Sequence, residues 1–209
     1  MILRARWVID RRLRLREGAR LDVGGVRGVL DLGDSILMPG LVNAHAHLDY
    51  AALRERLSPR GGFTAWIRRM NREKSVLTME DYGRSIRQGL EESLGFGTTA
   101  LANWICHPAA MEKLDPSPLR VWWFWEQMAW RSDADPRGIW RSWPRRVADG
   151  SRAWQAALAP HAPYTCRREI LLAAARWSAA RSLPWSIHVA ESWEEEAMFR
   201  FGRGALHQL

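Results

Sequence analysis

From residue 39 onward the sequence repeats one unit: a short apolar run, a loop, then a stretch whose apolar residues fall three or four positions apart. Short apolar runs favour strands and a 3.6-residue stripe favours helices, so their alternation predicts parallel strands joined by crossover helices. The first strand begins at Leu41-Val42 as a buried strand and closes at Asp49-Tyr50. The next are expected at Thr98–Asn103, Arg120–Trp125, Trp154–Pro160 and Trp185–Val189. Thr78 can start a helix in which Tyr82, Ile86, Leu90 and Leu94 recur every fourth residue, and Gly95-Phe96-Gly97 stops it. Thr165 is expected to cap a helix running to about Ala180, with Glu169 near its positive end and Ile170, Ala174 and Trp177 on its inner face. A last helix covers Trp193–Arg200.

Five such units fit into 39–209, whereas a closed (β/α)8 barrel takes about 250 residues. The expected fold class is therefore α/β, an incomplete (β/α)8 TIM-type barrel of about five βα units. Such an open sheet would expose two edges and one apolar face, which calls for self-association or for a C-terminal half that completes the barrel. Residues 1–38 differ in texture. Arg6-Trp7-Val8-Ile9, Leu13-Arg14-Leu15 and Val26-Arg27-Gly28-Val29-Leu30 alternate with glycine turns, predicting a separate short segment of small antiparallel strands.

Composition narrows the class. A 209-residue chain that is 47% hydrophobic can bury a sizeable core. No apolar run approaches the roughly 20 residues of a membrane-spanning helix, and Met1-Ile2-Leu3-Arg4-Ala5-Arg6 lacks the apolar centre of a signal peptide, so no membrane partner and a cytoplasmic location are expected. Cys106 and Cys166 have no Cys-x-x-Cys spacing and predict neither a disulfide framework nor a zinc knot. The net charge of +8 suggests nucleic acid, but Lys74 and Lys113 are the only lysines and the arginines are dispersed from Arg4 to Arg203 without a dominant block. The thirteen tryptophans, including Trp122, Trp123 and Trp125 around Phe124, fit packing between sheet and helices better than a stacking site.

The chemistry is carried by histidines. His45 and His47 stand two residues apart at the carboxyl end of the first predicted strand, so both side chains leave the same face and can converge on one metal ion. The plainer alternative is one core histidine and one surface histidine. Because the ends of parallel strands gather at one rim, His161 and His188 can join them despite their distance in sequence.

The segment Pro39-Gly40-Leu41-Val42-Asn43-Ala44-His45-Ala46-His47-Leu48 resembles the first metal motif of the amidohydrolase superfamily, particularly its cytosine, guanine and adenosine-type deaminases and the related chlorohydrolases. Three further motifs follow in the family's order: Gly97-Thr98-Thr99, Pro160-His161-Ala162-Pro163-Tyr164-Thr165 and His188-Val189-Ala190-Glu191. The resemblance implies that His45, His47 and His188 hold one divalent metal ion, zinc foremost, with iron or manganese as alternatives. It implies that Glu191 moves protons between water and a ring nitrogen of the substrate, and that His161 touches a small-molecule substrate. Asn103 and Trp104 end the second strand at the same rim and are assigned to substrate binding on position alone. The implied reaction is hydrolysis of a carbon–nitrogen bond other than a peptide, as hydrolytic deamination of a purine-like or nucleoside-like ring. Leu48–Arg54 and Gly62–Ile67 look similar to the aminodeoxyfutalosine deaminase branch. The implied β segment 1–38 belongs to a composite β-sandwich.

The family also completes its site with a histidine from strand six and an aspartate from strand eight. His207 falls in a predicted terminal helix without matching surroundings, so this chain alone is expected to bind metal weakly and turn over little. Two rival readings are a non-catalytic remnant of the same fold with a partial metal site, and a basic nucleic-acid-binding module whose binding would weaken with salt.

Overall fold

A computed structural model describes residues 1–18, 20–25, 27–111, 114–128 and 154–209, together with positions 140, 141, 143, 144 and 147. Val26, in the third predicted strand of the leading segment, and Lys113 lie outside the described residues. The chain divides into two compact units, Met1–Leu41 and Val42–Leu209.

The first unit holds β1 (Ile2–Arg4), β2 (Trp7–Ile9), β3 (Leu15–Glu17), β4 (Arg20–Asp22), β5 (Val29–Asp31) and β6 (Ile36–Leu37). They form two three-stranded sheets ordered β4-β1-β5 and β3-β2-β6. The pair β2–β3, joined by a short turn, and the pair β1–β4, which brackets it in the chain, are antiparallel, as expected. The outer strands β5 and β6 correct that expectation, since they return through longer connections and pair parallel with β1 and β2.

The second unit is built on a sheet of β7 (Leu41–Ala46), β8 (Thr98–Ile105), β9 (Arg120–Gln127) and β10 (Trp154–Pro160), ordered β10-β9-β8-β7. Parallel pairing of β8 with β9 and of β9 with β10 follows from the intervening connections. The register places Trp104 beside Phe124 and Phe124 beside Ala157, so aromatic and small residues share one face. The other face packs Leu101, Ile105, Trp123, Trp125 and Leu158 with Tyr82, Ile86 and Leu90. Burying each of these large side chains contributes roughly 1.5–3 kcal/mol, which holds the sheet to its covering helices. Tryptophan thus serves mainly as core.

Four helices have fully described bounds: α1 (Gly62–Lys74), α2 (Met79–Gly95), α3 (Arg168–Ala179) and α4 (Trp193–Phe201), of which α2 and α3 pack on the sheet. Thr78 caps α2 in a reciprocal box with Asp81: its hydroxyl accepts from the Asp81 amide, and the carboxylate accepts from the Thr78 amide. Tyr82, Ile86 and Leu90 are buried while Leu94, near the carboxyl end of the helix, is exposed. Ile170 and Ala174 of α3 are buried, with Trp177 packed partly against the core.

Three sequence expectations change. Leu41 and Val42 are exposed because β7 is an edge strand. Thr165 does not cap α3; Arg167 occupies that position, and the Thr165 hydroxyl is engaged with the Ala162 amide and the His161 ring. The fifth strand is reduced to a single bridge between Leu158 and Trp185. The Leu158 amide donates to the Pro184 carbonyl and the Ser186 amide to the Leu158 carbonyl, but the next donor of that ladder would be the nitrogen of Pro160, which carries no hydrogen. The segment stays extended, and His188 regains a partner by donating its amide to the His161 carbonyl at 2.7 Å.

Candidate metal centre

His45 lies on β7 and His47 immediately precedes a 3-10 turn, Leu48–Leu53; His188 arrives on the extended segment beside β10. One ring nitrogen from each falls within 4.8 Å of the other two. Ring centroids are separated by 5.0 Å (His45–His47), 5.1 Å (His45–His188) and 5.7 Å (His47–His188). Tetrahedral zinc, with bonds near 2.0–2.1 Å, wants such nitrogens roughly 3.3 Å apart, so modest ring movements suffice. Burial, reinforced by the neighbouring rings, depresses His47 to about 3 and also lowers His45. Both are therefore neutral near pH 7, the form that coordinates a cation. His188 Nδ1 lies 3.2 Å from the His161 carbonyl oxygen, to which it donates in the tautomer assigned from that partner, leaving Nε2 for a metal. The three-imidazole donor set fits a divalent ion.

Behind the histidines lies a buried polar network that the sequence reading missed. Glu126, on β9 and 4% exposed, accepts from the Cys106 thiol at 2.8 Å. Cys106 also contacts the Tyr50 hydroxyl at 2.8 Å, and the Lys74 ammonium donates to that hydroxyl at 2.6 Å. Tyr50 lies flat against His47, with ring centroids 5.3 Å apart and planes 3° from parallel. Asp49, fully buried, accepts from the Cys106 amide at 3.2 Å. Burial raises Glu126 to about 7 and Asp49 to about 6. The signal for Glu126 was available: it continues the alternating face of Trp122 and Phe124 to the carboxyl end of a buried strand, where an acid has no apolar reason to be.

The other nominated residues divide. His161 joins Glu126 and His188 in a second group whose ligand atoms lie within 4.8 Å, and its Nδ1 meets the Thr165 hydroxyl at 2.8 Å. Burial lowers its pKa to about 4. Glu191 accepts from the Tyr164 hydroxyl at 2.6 Å, while its own amide donates to Glu195 at 2.7 Å. Asn103 does not face the cavity. It is fully buried, and its carboxamide oxygen accepts from the Leu48 amide at 2.8 Å, because adjacent strand residues point to opposite faces and only Trp104 shares the histidine side. Trp104 is itself a backing residue, packed 4.1 Å from the His45 ring and stacked on Phe124 at 4.3 Å.

A cavity of about 710 Å³ opens over His47, Glu126, His161, His188 and Glu191. Phe63, Trp66, Ile67 and Met70 of α1 form one wall, and Met198, Leu206, His207 and Leu209 form another. His207 lies in a short terminal 3-10 helix, Leu206–Gln208, as expected, and borders the cavity. A polar floor under apolar walls is the usual form of a small-molecule site.

A sequence model of the amidohydrolase family matches residues 36–209. This chain belongs to that family. Over 184 residues it is 32% identical to a 5-methylthioadenosine/S-adenosylhomocysteine deaminase of Nitratidesulfovibrio vulgaris, a match that covers 84% of this chain and 41% of the relative. It is 26% identical over 182 residues to an aminodeoxyfutalosine deaminase of Deinococcus radiodurans, covering 82% of this chain and 41% of that one. Among solved structures, Helicobacter pylori aminofutalosine deaminase in complex with methylthio-coformycin superposes with a TM-score of 0.83 at 20% identity, over 98% of this chain and 54% of that one. Atrazine chlorohydrolase from Arthrobacter aurescens complexed with zinc gives a TM-score of 0.77 at 18% identity, over 99% and 57%. The fold is thus that of amidohydrolase neighbours, and the chain spans less than half the length of these two curated relatives.

Proposed function

We propose that this chain supplies the metal-binding floor of a hydrolase that deaminates an aminated purine-like or nucleoside-like ring. The observation that carries this reading is the convergence of ring nitrogens of His45, His47 and His188, with His47, His188 and Glu191 lining one apolar-walled cavity. His45, His47 and His188 would hold the divalent ion, and zinc is favoured because atrazine chlorohydrolase, a structural neighbour, is complexed with it. When bound, such an ion supplies the Lewis acidity that makes water nucleophilic near neutral pH.

The remaining work falls to the chain's own groups. Glu191, oriented by the Tyr164 hydroxyl, takes a proton at its carboxylate and returns it to the substrate ring nitrogen. His161, with Nδ1 tied to Thr165, presents Nε2 to the bound ring. Phe63 and Trp66 exclude bulk water and offer flat apolar surface to an aromatic substrate. In the net reaction a water oxygen bonds the ring carbon, one water proton goes to the ring nitrogen and the other to the amino group, the exocyclic carbon–nitrogen bond breaks, and ammonia leaves. Adenosine-like substrates are favoured because the relatives named above are deaminases of such compounds.

Two measurements test this. Zinc content of purified protein should fall at least tenfold when His45 and His47 are both changed to alanine, and unchanged occupancy would refute the site. Aminated purines and nucleosides should release ammonia with the protein at its full natural length, and Glu191→Gln should abolish release while metal stays bound.

A further inference from the structure

Among the described residues, Glu126 is the carboxylate that lies against two of the three candidate ligands. Its Oε2 is 3.9 Å from His47 Nδ1 and its Oε1 is 3.8 Å from His188 Nδ1. Its side chain is only 2% exposed. Two of the atoms involved are buried without any hydrogen-bond partner: His47 Nδ1 and Glu126 Oε1. A buried donor and a buried acceptor left unpaired each cost about 1–3 kcal/mol, so His47 Nδ1, which faces Oε2, and Oε1, which faces His188 Nδ1, both gain from a closer approach of the carboxylate to the two rings.

We propose that Glu126 is a positioning residue that backs the metal centre, accepting the Nδ1 proton of His47 and sharing that of His188 with the His161 carbonyl, so that both rings turn Nε2 toward a common cation. The inference rests on the metal-site reading above and deepens it. A cation on Nε2 withdraws electron density from the ring and makes Nδ1–H a stronger donor, which draws the gaps toward hydrogen-bond length over about 1 Å of movement. The carboxylate also supplies a buried negative charge against a dication that imidazole ligands, which carry no negative charge, leave uncompensated. Its placement is fixed from behind: the Cys106 thiol donates to Oε2, and Cys106 is itself held by Tyr50, which Lys74 anchors from α1. Tyr50 stacked on His47 limits the same ring from its flat side. The distal nitrogens of two ligands from separate segments thus share one acceptor on a third.

The test is competitive zinc titration of the 209-residue protein against a chromophoric chelator, with visible ligand-field spectra of the Co(II)-loaded form. Glu126→Gln keeps the shape but replaces one acceptor oxygen by a donor facing the imidazole N–H. It should weaken zinc binding about 10–100-fold and shift the Co(II) bands while the far-ultraviolet circular dichroism stays that of the parent. Should that variant fail to fold, Glu126→Asp, which withdraws the same charge by one methylene, should show the same loss and shift. Folded Glu126 variants with parental zinc affinity and a superimposable Co(II) spectrum would overturn the proposal. The H45A/H47A double variant separates the two readings: if it loses zinc while Glu126 variants do not, only the role of Glu126 falls. If it retains zinc, the metal site itself falls.

Discussion

The Glu194 carboxylate accepts the backbone N–H of Phe63 at 2.7 Å, joining residues 131 positions apart. Its second oxygen takes the Thr64 amide at 3.1 Å and the Thr64 hydroxyl. A carboxylate at these otherwise unpaired amides also complements the positive end of the α1 dipole. Glu194→Gln should therefore destabilise the protein by about 1–3 kcal/mol in urea unfolding and speed amide exchange at Phe63 and Thr64 above that elsewhere in α1. Unchanged exchange at those amides would show that the contact contributes nothing.

Gly62 has φ +84°, and a Cβ there would come within 2.5 Å of Glu194 Oε1. Gly62→Ala combines left-handed strain with displacement of that carboxylate. A loss of about 1–3 kcal/mol is expected. Gly95→Ala, at an open helical position, serves as the comparison and should be neutral or stabilising.

Asn103 ties β8 to the turn that follows His47. Asn103→Ala leaves the buried Leu48 amide without its acceptor and should cost about 1–3 kcal/mol. Thermal melting of the variant checks this, with Leu94→Ala, exposed on α2, as a near-neutral control.

The metal-free protein should show opposing pH dependences. Burial raises Glu126 from 4.5 to about 7, so between these values the folded chain keeps a proton that the unfolded chain has released, and stability falls as pH rises. Burial lowers His47 and His161 from 6.5 to about 3 and about 4, so the unfolded chain binds more protons below pH 6.5 and stability falls as pH drops. Glu126→Gln removes only the first effect. Relative to the parent, the variant should gain on the order of 1–3 kcal/mol between pH 4.5 and 7.5. Urea unfolding at the two pH values measures it, and a pH-independent offset would contradict the assignment.

Local signals made much of this molecule readable. Thr78 and Asp81 announce the start of α2, Tyr82, Ile86 and Leu90 its buried stripe, and the two-residue spacing of His45 and His47 their shared face. What was not readable depended on long-range partners. Thr165 has the composition of a helix cap, yet His161 and Ala162 engage its hydroxyl first. Trp185–Val189 has a strand's composition, but whether its ladder continues is decided by Pro160 on the neighbouring strand. Asn103 and Trp104 were both assigned to the rim, although strand alternation sends them to opposite faces. Glu126 was overlooked because its importance appears only when β9 is set beside Cys106 and the two histidines.

The cavity takes its floor from strand ends and much of its wall from α1, a helix whose inward residues Phe63, Trp66, Ile67 and Met70 include none of the candidate ligands. Under the proposed function, reactivity and molecular preference are thereby written on different stretches of polypeptide. A lineage, or a protein engineer, would then retailor which compound is admitted by exchanging side chains along one helix while the proposed bond-breaking apparatus is inherited intact.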